Sequence, residues 1–271
     1  MIEPKTFRIS KERKELIAKY ANISVNIYGI LSVDEFVEVF NHYENQVKTT
    51  ADEAELALLR YAKQFSNEAE YSIKNSIISG PEFQPCFDTY KEDVKNFRAA
   101  QKGKPRYLPD KDEFLRYHDC IYREPEKPYA DLKAFIVKNK LTKKKADGII
   151  NADDGDLIDL HELIQSSVLS ASDEIEFFTE RGYSFKNIDI LNEFMQQVMN
   201  VHNNTRMFEN NGHTPDEIFE KYERPKLKPL PQTPFVFGSQ SHIKILPSRN
   251  GACPCGSGKK YKRCCGKEQK S

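Results

Sequence analysis

Four of the six cysteines in this chain fall between residues 249 and 271, as Cys253, Cys255, Cys264 and Cys265. A segment that short cannot bury a core of its own, so whatever shape it takes must be held by its sulfurs. The pattern is C-x-C-x8-C-C: two thiolates from a tight turn and two from a short helical end can surround one ion tetrahedrally, at metal–sulfur distances of about 2.3 Å. Disulfides fit less well, because the adjacent Cys264 and Cys265 bridge each other only with strain. In a reducing compartment such a cluster holds metal. Pro254 stiffens the turn between the first two ligands, and Gly256 and Gly258 remove side chains where the backbone must fold back on the sulfurs. Neighbouring basic residues favour thiolate over thiol. Four thiolates in a closed site suit Zn2+, one per chain, with iron as the competing ion. A phosphate-loop reading of Gly256-Ser257-Gly258-Lys259 fails, since glycine would be needed where Cys253 stands and Ser or Thr where Lys260 stands.

Charge points the same segment at a partner. The 271 residues carry 41 basic and 41 acidic side chains, yet residues 249–271 hold seven of the former and one of the latter, a formal +6, leaving −6 on the rest. Lys259, Lys260, Lys262 and Arg263 stand between the two ligand pairs, where the sulfurs occupy the inside and the cations project outward. Tyr261 adds an aromatic face for a base or an apolar group. An anionic partner is the expectation, either ribosomal RNA or an acidic protein.

The run Cys253-Pro-Cys-Gly-Ser-Gly-Lys-Lys-Tyr-Lys-Arg-Cys-Cys-Gly266 resembles the SEC-C motif, a small zinc-binding module found at the C-terminus of the SecA preprotein translocase ATPase and in many small bacterial proteins. The resemblance implies Cys253, Cys255, Cys264 and Cys265 as the zinc ligands; the last place is His in many members and Cys in others. In SecA the module docks on the chaperone SecB and on the ribosome. The remainder of this chain has no ATPase motif and does not look like SecA, so the resemblance does not carry that partner over by itself. Residues His202-Asn-Asn-Thr-Arg-Met-Phe-Glu-Asn-Asn-Gly-His-Thr-Pro215 resemble a stretch in bacterial proteins bearing the same tail, which implies no activity.

Residues 1–224 read as a mainly α body of many amphipathic helices, with a short strand or hairpin admitted. Ser10 precedes a helix bearing Leu16, Ile17 and Tyr20 and ending near Gly29. Ser32-Val-Asp-Glu35 is a capping box ahead of Phe36, Val37, Phe40 and Tyr43, and Thr50-Ala-Asp-Glu53 repeats it ahead of Leu56, Leu59 and Ala62. Residues 71–78 alternate enough for one short strand or an extended loop. Residues 102–109, with one glycine and two prolines, form an internal boundary between two helical halves. Helices are then expected over 110–119, 129–138, 143–150, 157–167, 173–181 and 187–202, the last with Ile188, Leu191, Met195 and Val198 on its core face. Thr214-Pro-Asp-Glu217 starts a further helix. Five prolines between 225 and 247 make residues 225–248 a linker to the 249–271 module.

Other signals weaken on inspection. Asn151-Ala-Asp-Asp-Gly-Asp156 looks like a calcium loop, but with Gly155 at the sixth position the first and twelfth fall on Ile150 and His161. His202 and His213 read as packing or capping residues, and Cys86 and Cys120, with His118 nearby, as buried small side chains rather than nucleophiles. No apolar run exceeds four residues, far below the ~20 that span a bilayer, and the start Met1-Ile-Glu-Pro does not read as a secretory leader. Cytoplasmic placement is the expectation. Two classes of function remain: an adaptor whose module docks while the body binds something else, and an enzyme of unfamiliar type in the body with the module as a targeting device. The absence of a nucleophile elbow, dinucleotide fingerprint or H-E-x-x-H favours the first. The oligomeric state is not legible.

Overall fold

The computed structural model describes residues 8–83, 91–141, 144–145, 148–149, 154–168, 173–227, 250–253 and 255–267. Two compact units result, Met1–Lys226 and Leu227–Ser271.

The larger unit is mainly helical, and its centre is α1, Lys11–Tyr28. Ser10 caps it by accepting from Arg13 N at 3.2 Å, and Gly29 ends it. Ile17, Tyr20, Ala21, Ile23, Val25, Ile27 and Tyr28 are all buried, as are the polar Asn22 and Ser24, so the second half of α1 is enclosed by its neighbours. One neighbour is α2, Val33–Tyr43, whose capping box is complete: Glu35 N donates to Ser32 Oγ at 3.2 Å and Ser32 N to Glu35 Oε2 at 2.7 Å. Another is α3, Ala51–Gln64, where the cap is only half made. Glu53 N reaches Thr50 Oγ1 at 3.3 Å, but the Glu53 carboxylate turns away to pair with Arg13 at 2.9 Å, because an ion pair outcompetes one backbone N–H. The buried face of α3 is Ala54, Ala57, Leu58 and Tyr61, while Leu59, expected inside, is 47% exposed. Ala54 and Ala57 share one buried cluster with Ala18 and Ala21 of α1, and small side chains let two helices approach closely.

The single strand or loop expected at 71–78 is a hairpin. Strands β2, Ser72–Lys74, and β3, Ile77–Ser79, pair antiparallel, and β1, Ile30–Ser32, adds to the other side of β3 to give the order β1-β3-β2. Asn75 and Ser76 make the two-residue turn, both at positive φ of 53° and 57°, the conformation that matches strand twist.

Helix α4, Lys91–Gln101, has no counterpart in the sequence expectations. It precedes the 102–109 passage, after which α5, Lys111–Arg116, is capped by Asp110. Phe114 and Tyr117 still pack into the first core, so the first core continues past 109. A second core is built by α6, Lys127–Asn139, α7, Asp154–Gln165, α8, Glu174–Glu180, and α9, Ile188–Asn204, from Leu132, Ile136, Leu160, Phe178, Phe194 and Val198 among others. On α9 the core face is Phe194, Val198 and Val201; Ile188, expected inside, is 63% exposed. The helix expected over 143–150 is instead a two-residue ladder in the described part, β4 Lys144–Lys145 against β5 Gly148–Ile149. Three successive lysines followed by a glycine give little helix support. Helix α10, Pro215–Ile218, has the complete capping box expected at Thr214 but runs only one turn before a wider turn over Phe219–Glu223.

The 206–214 segment joins the two cores. Arg206 donates to Tyr117 Oη at 3.0 Å, Gly212 O at 3.2 Å and Glu217 Oε2 at 3.0 Å, while the buried Gln101 amide donates to Tyr28 O and Phe208 O. No helix among the described residues is long and apolar enough to cross a membrane.

Candidate metal centre

In the smaller unit the backbone first makes a narrow loop. Ala252 bridges antiparallel to Lys260, Cys253 N donates to Lys259 O at 2.9 Å, and Tyr261 N donates to Gly251 O at 2.9 Å. Closing a loop this tight takes backbone in the left-handed region, and Gly256 and Gly258 supply it at φ 77° and 67°. Pro254, expected to stiffen the turn, lies outside the described residues, as do 228–249, which include most of the expected linker. After the bridge, a single tight helical turn, Tyr261–Arg263, brings Cys264 and Cys265 back over the loop. Gly266 N closes it on Tyr261 O at 2.9 Å, and the Tyr261 ring edge lies so close to Gly266 that an added Cβ would sit 2.9 Å away.

These two pieces bring together all four cysteines. Their sulfurs lie within 4.8 Å of one another. Cys255 Sγ is 3.3 Å from Cys253 Sγ and 3.4 Å from Cys264 Sγ, and Cys264 Sγ is 3.9 Å from Cys265 Sγ. A regular tetrahedron of sulfurs at about 2.3 Å from a central ion has edges of about 3.8 Å, within the range observed. Each of the four is a free thiol, and the sulfur separations are far beyond the ~2.05 Å of a disulfide. The donor set therefore fits a metal ion.

Electrostatics within the cluster agrees. Hydrogen bonding with Ser257, then with Cys253 and Cys264, holds the Cys255 thiol down at about 6, whereas sharing with Cys253, Cys255 and Cys264 pushes Cys265 up to about 12. Sulfurs this close cannot all carry negative charge on their own. A cation among them removes the conflict and ionises all four. Ser257, named above only in the phosphate-loop pattern, places its hydroxyl 3.3 Å from Cys264 Sγ; its position between the two cysteine pairs was the available signal.

Around the cluster, Lys259, Lys260, Lys262 and Arg263 are all exposed, and none forms an ion pair among the described residues. Tyr261 is half-buried against Gly266. Cys253 is buried and Cys255 and Cys265 are exposed, so the sulfurs are only partly shielded from solvent.

The other candidate residues disperse. Cys120 is exposed, not buried as expected, because it sits in the turns after α5; Cys86 lies outside the described residues. Partial desolvation, then Glu70 and Asp119, push the Cys120 thiol up, which makes it a poor nucleophile. His213 packs between Tyr107 and Tyr222 with Nδ1 2.9 Å from Glu217 Oε2. His202 Nδ1 lies 2.5 Å from Oε1 of Glu174, a wholly buried carboxylate 28 positions away that no sequence pattern announced. His202 also lines a cleft of about 800 Å³ with Ser167, Asn203 and Asp216.

Comparison with known proteins concentrates on the same end of the chain. The SEC-C motif model matches residues 249–267, so the chain carries a SEC-C motif. The chain is similar to the protein translocase subunit SecA of Wolinella succinogenes, 68% identical over 32 residues, or 12% of this chain and 4% of that protein. The same subunit from Geobacter metallireducens is 46% identical over 50 residues, 18% of this chain and 5% of its own length. A UPF0225 protein of Serratia proteamaculans is 76% identical over 24 residues, 9% of this chain and 16% of that one. The chain thus spans a small fraction of the curated relatives it matches. No solved structure matches it.

Proposed function

We propose that the chain is a Zn2+-binding adaptor, in which the basic module at residues 249–271 carries one zinc ion on Cys253, Cys255, Cys264 and Cys265 and docks on an anionic partner. The observation that carries the reading is the convergence of four free thiols within 4.8 Å, ringed by exposed cations that have no acidic partner among the described residues. Four sulfur ligands leave no open position for a reacting water, so the ion there is structural: it rigidifies a surface. Zinc is preferred over iron for a closed thiolate site without a redox task. With four thiolates and one Zn2+ the module's formal charge falls from +6 to about +4 and stays positive. Lys259, Lys260, Lys262 and Arg263 would meet phosphates or carboxylates, with the free part of the Tyr261 ring beside them. Free thiolates of this kind persist in a reducing setting, which supports a cytoplasmic protein. Residues 1–224 would form the body and 225–248 the tether.

Ribosome co-sedimentation of the full chain tests the docking role. Binding should weaken steeply between roughly 50 and 200 mM salt if phosphates are the contacts, by counterion release. Lys259→Glu with Lys260→Glu should abolish binding while the metal content stays the same. Equal binding of the intact and reversed proteins, to ribosomes and to lysate proteins alike, would end the docking role. A second reading, an enzyme in the body, is favoured by one observation: His202, held by the buried Glu174, faces the large cleft as an oriented imidazole.

A further inference from the structure

A recess of about 350 Å³ lies on the larger unit. Four cations line it, Arg98, Lys102, Lys104 and Arg106, against two carboxylates, Glu35 and Glu38. The side chains therefore leave it at a formal +2. Glu35 cannot balance it, because one carboxylate serves both guanidinium groups, at 2.6 Å to Arg98 and 3.2 Å to Arg106, and also completes the cap of α2. Lys104 is held by neutral acceptors, Glu209 O at 3.0 Å and Asn210 Oδ1 at 2.7 Å, so its position is fixed while its charge stays uncompensated. Lys102 at the rim is exposed and has no partner among the described residues. Arg106 Nε is buried with no hydrogen-bond partner among the described residues.

The loop that carries Lys102, Lys104 and Arg106 is built to hold still. Asn211, itself buried and in the left-handed conformation at φ 52°, donates to Gln101 O at 3.0 Å and Lys104 O at 2.9 Å, stapling the two ends of the 101–104 turn. Gln101 in turn is locked beneath by Tyr28 O and Phe208 O and accepts from Arg98 at 2.7 Å. Buried amides are thus used to hold like charges together at a concave site, an arrangement that repulsion alone would scatter.

We infer that this recess binds a small phosphate-bearing ligand, a dianion whose oxygens are taken by Lys102, Lys104 and the free N–H groups of Arg98 and Arg106. A charge of −2 neutralises the recess, guanidinium forks suit phosphate geometry, and the volume admits a phosphomonoester of modest size. The ligand class concerns the body alone and does not depend on the docking role of the module.

Calorimetric titration of the full zinc-loaded chain, at constant ionic strength, with inorganic phosphate and separately with glycerol 3-phosphate tests this. Saturable one-to-one binding with a dissociation constant at or below about 1 mM is expected. Lys102→Gln with Lys104→Gln should weaken it by at least ~10-fold, with the melting temperature measured alongside to show the body intact. Lys102→Gln alone, at an exposed residue, should weaken binding by roughly threefold without touching the fold. Tighter binding of glycerol 3-phosphate would assign an ester; equal binding would assign free phosphate. No saturation by about 10 mM, binding unchanged in both lysine variants, or binding lost instead in Lys259→Gln with Lys260→Gln would each overturn the assignment.

Discussion

His161 shows how far a single side chain's environment can shift its chemistry. It is enclosed, with Nδ1 2.8 Å from the Tyr129 hydroxyl, which in turn lies 2.6 Å from Thr205 Oγ1. Burial, and then the charge of Arg123, hold its pKa down at about 3 from the ordinary 6.5. The unfolded chain takes up this proton below pH 6.5 while the folded chain refuses it until near pH 3, so its contribution to stability is complete above 6.5 and is lost as pH falls through that window. Between pH 6.5 and 5, above the carboxylates, His161→Gln should lower the pH slope of unfolding free energy by about 1.4 kcal/mol per pH unit; equal slopes from denaturant curves would remove His161 from the account. Glu217 acts lower. Burial would raise its pKa, but the hydrogen bond from His213, then the charge and hydrogen bond of Arg206 and the Thr214 N–H, prevail and hold it at about 2, so its contribution fades from pH 4.5 downward. Among the cysteines the test is stoichiometric. Elemental analysis should find about one zinc per intact chain and none in Cys264→Ser, since three thiolates bind far more weakly than four. Equal metal in both proteins would remove Cys264 from the ligand set.

The turn at 210–212 deserves its own test, because it is the element that ties the two cores and staples the cationic loop. Gly212 sits at φ 81°, and a Cβ there would lie 2.6 Å from Ile27 Cγ2 of α1. Gly212→Ala meets both penalties at once, conformational and steric, and should cost about 2 to 4 kcal/mol by urea unfolding; a loss below about 0.5 kcal/mol would mean that the turn relaxes freely. Elements marked by local chemistry were legible in the sequence. The Ser32 and Thr214 caps formed as read because every partner lies within four positions. The faces of α3 and α9 were not, since rotation about a helix is decided by what packs on it: Ala54 and Ala57 are buried while Leu59, expected inside, is exposed, and Phe194 is buried while Ile188, expected inside, is exposed. Helix α4 was missed because only Val94 and Phe97 mark its apolar side, and these pack on Ile30, Phe83 and Phe208 from distant parts of the chain. The cysteine cluster was the most legible feature, its four sulfurs being close in sequence as well as in space. The recess was the least, being assembled from α2, α4 and two separate loops.

On the scale of the whole molecule, the two units differ in what holds them together. Met1–Lys226 has two large buried clusters, around α1 and around α9, and Arg206, just after α9, donates to Tyr117 of the first. The described part of Leu227–Ser271 has one buried cysteine and backbone bridges between 251 and 261. Burial of apolar surface stabilises the first; the described part of the second has almost none, so an ion held by its four cysteines would couple its own binding to the folding of that unit. A strong chelator should therefore leave the far-ultraviolet circular dichroism of the full chain nearly unchanged, because the module contributes a single helical turn, Tyr261–Arg263. Heat or urea should unfold the body at the same midpoint with and without zinc, within about 1 °C, since a ligand stabilises only the cooperative unit that binds it. Amide exchange should meanwhile rise at Cys253, Tyr261 and Gly266, whose N–H groups close the loop around the sulfurs. A large loss of helix on chelation, or a lowered midpoint for the body, would show that the ion holds the helical body together and that the two units fold as one.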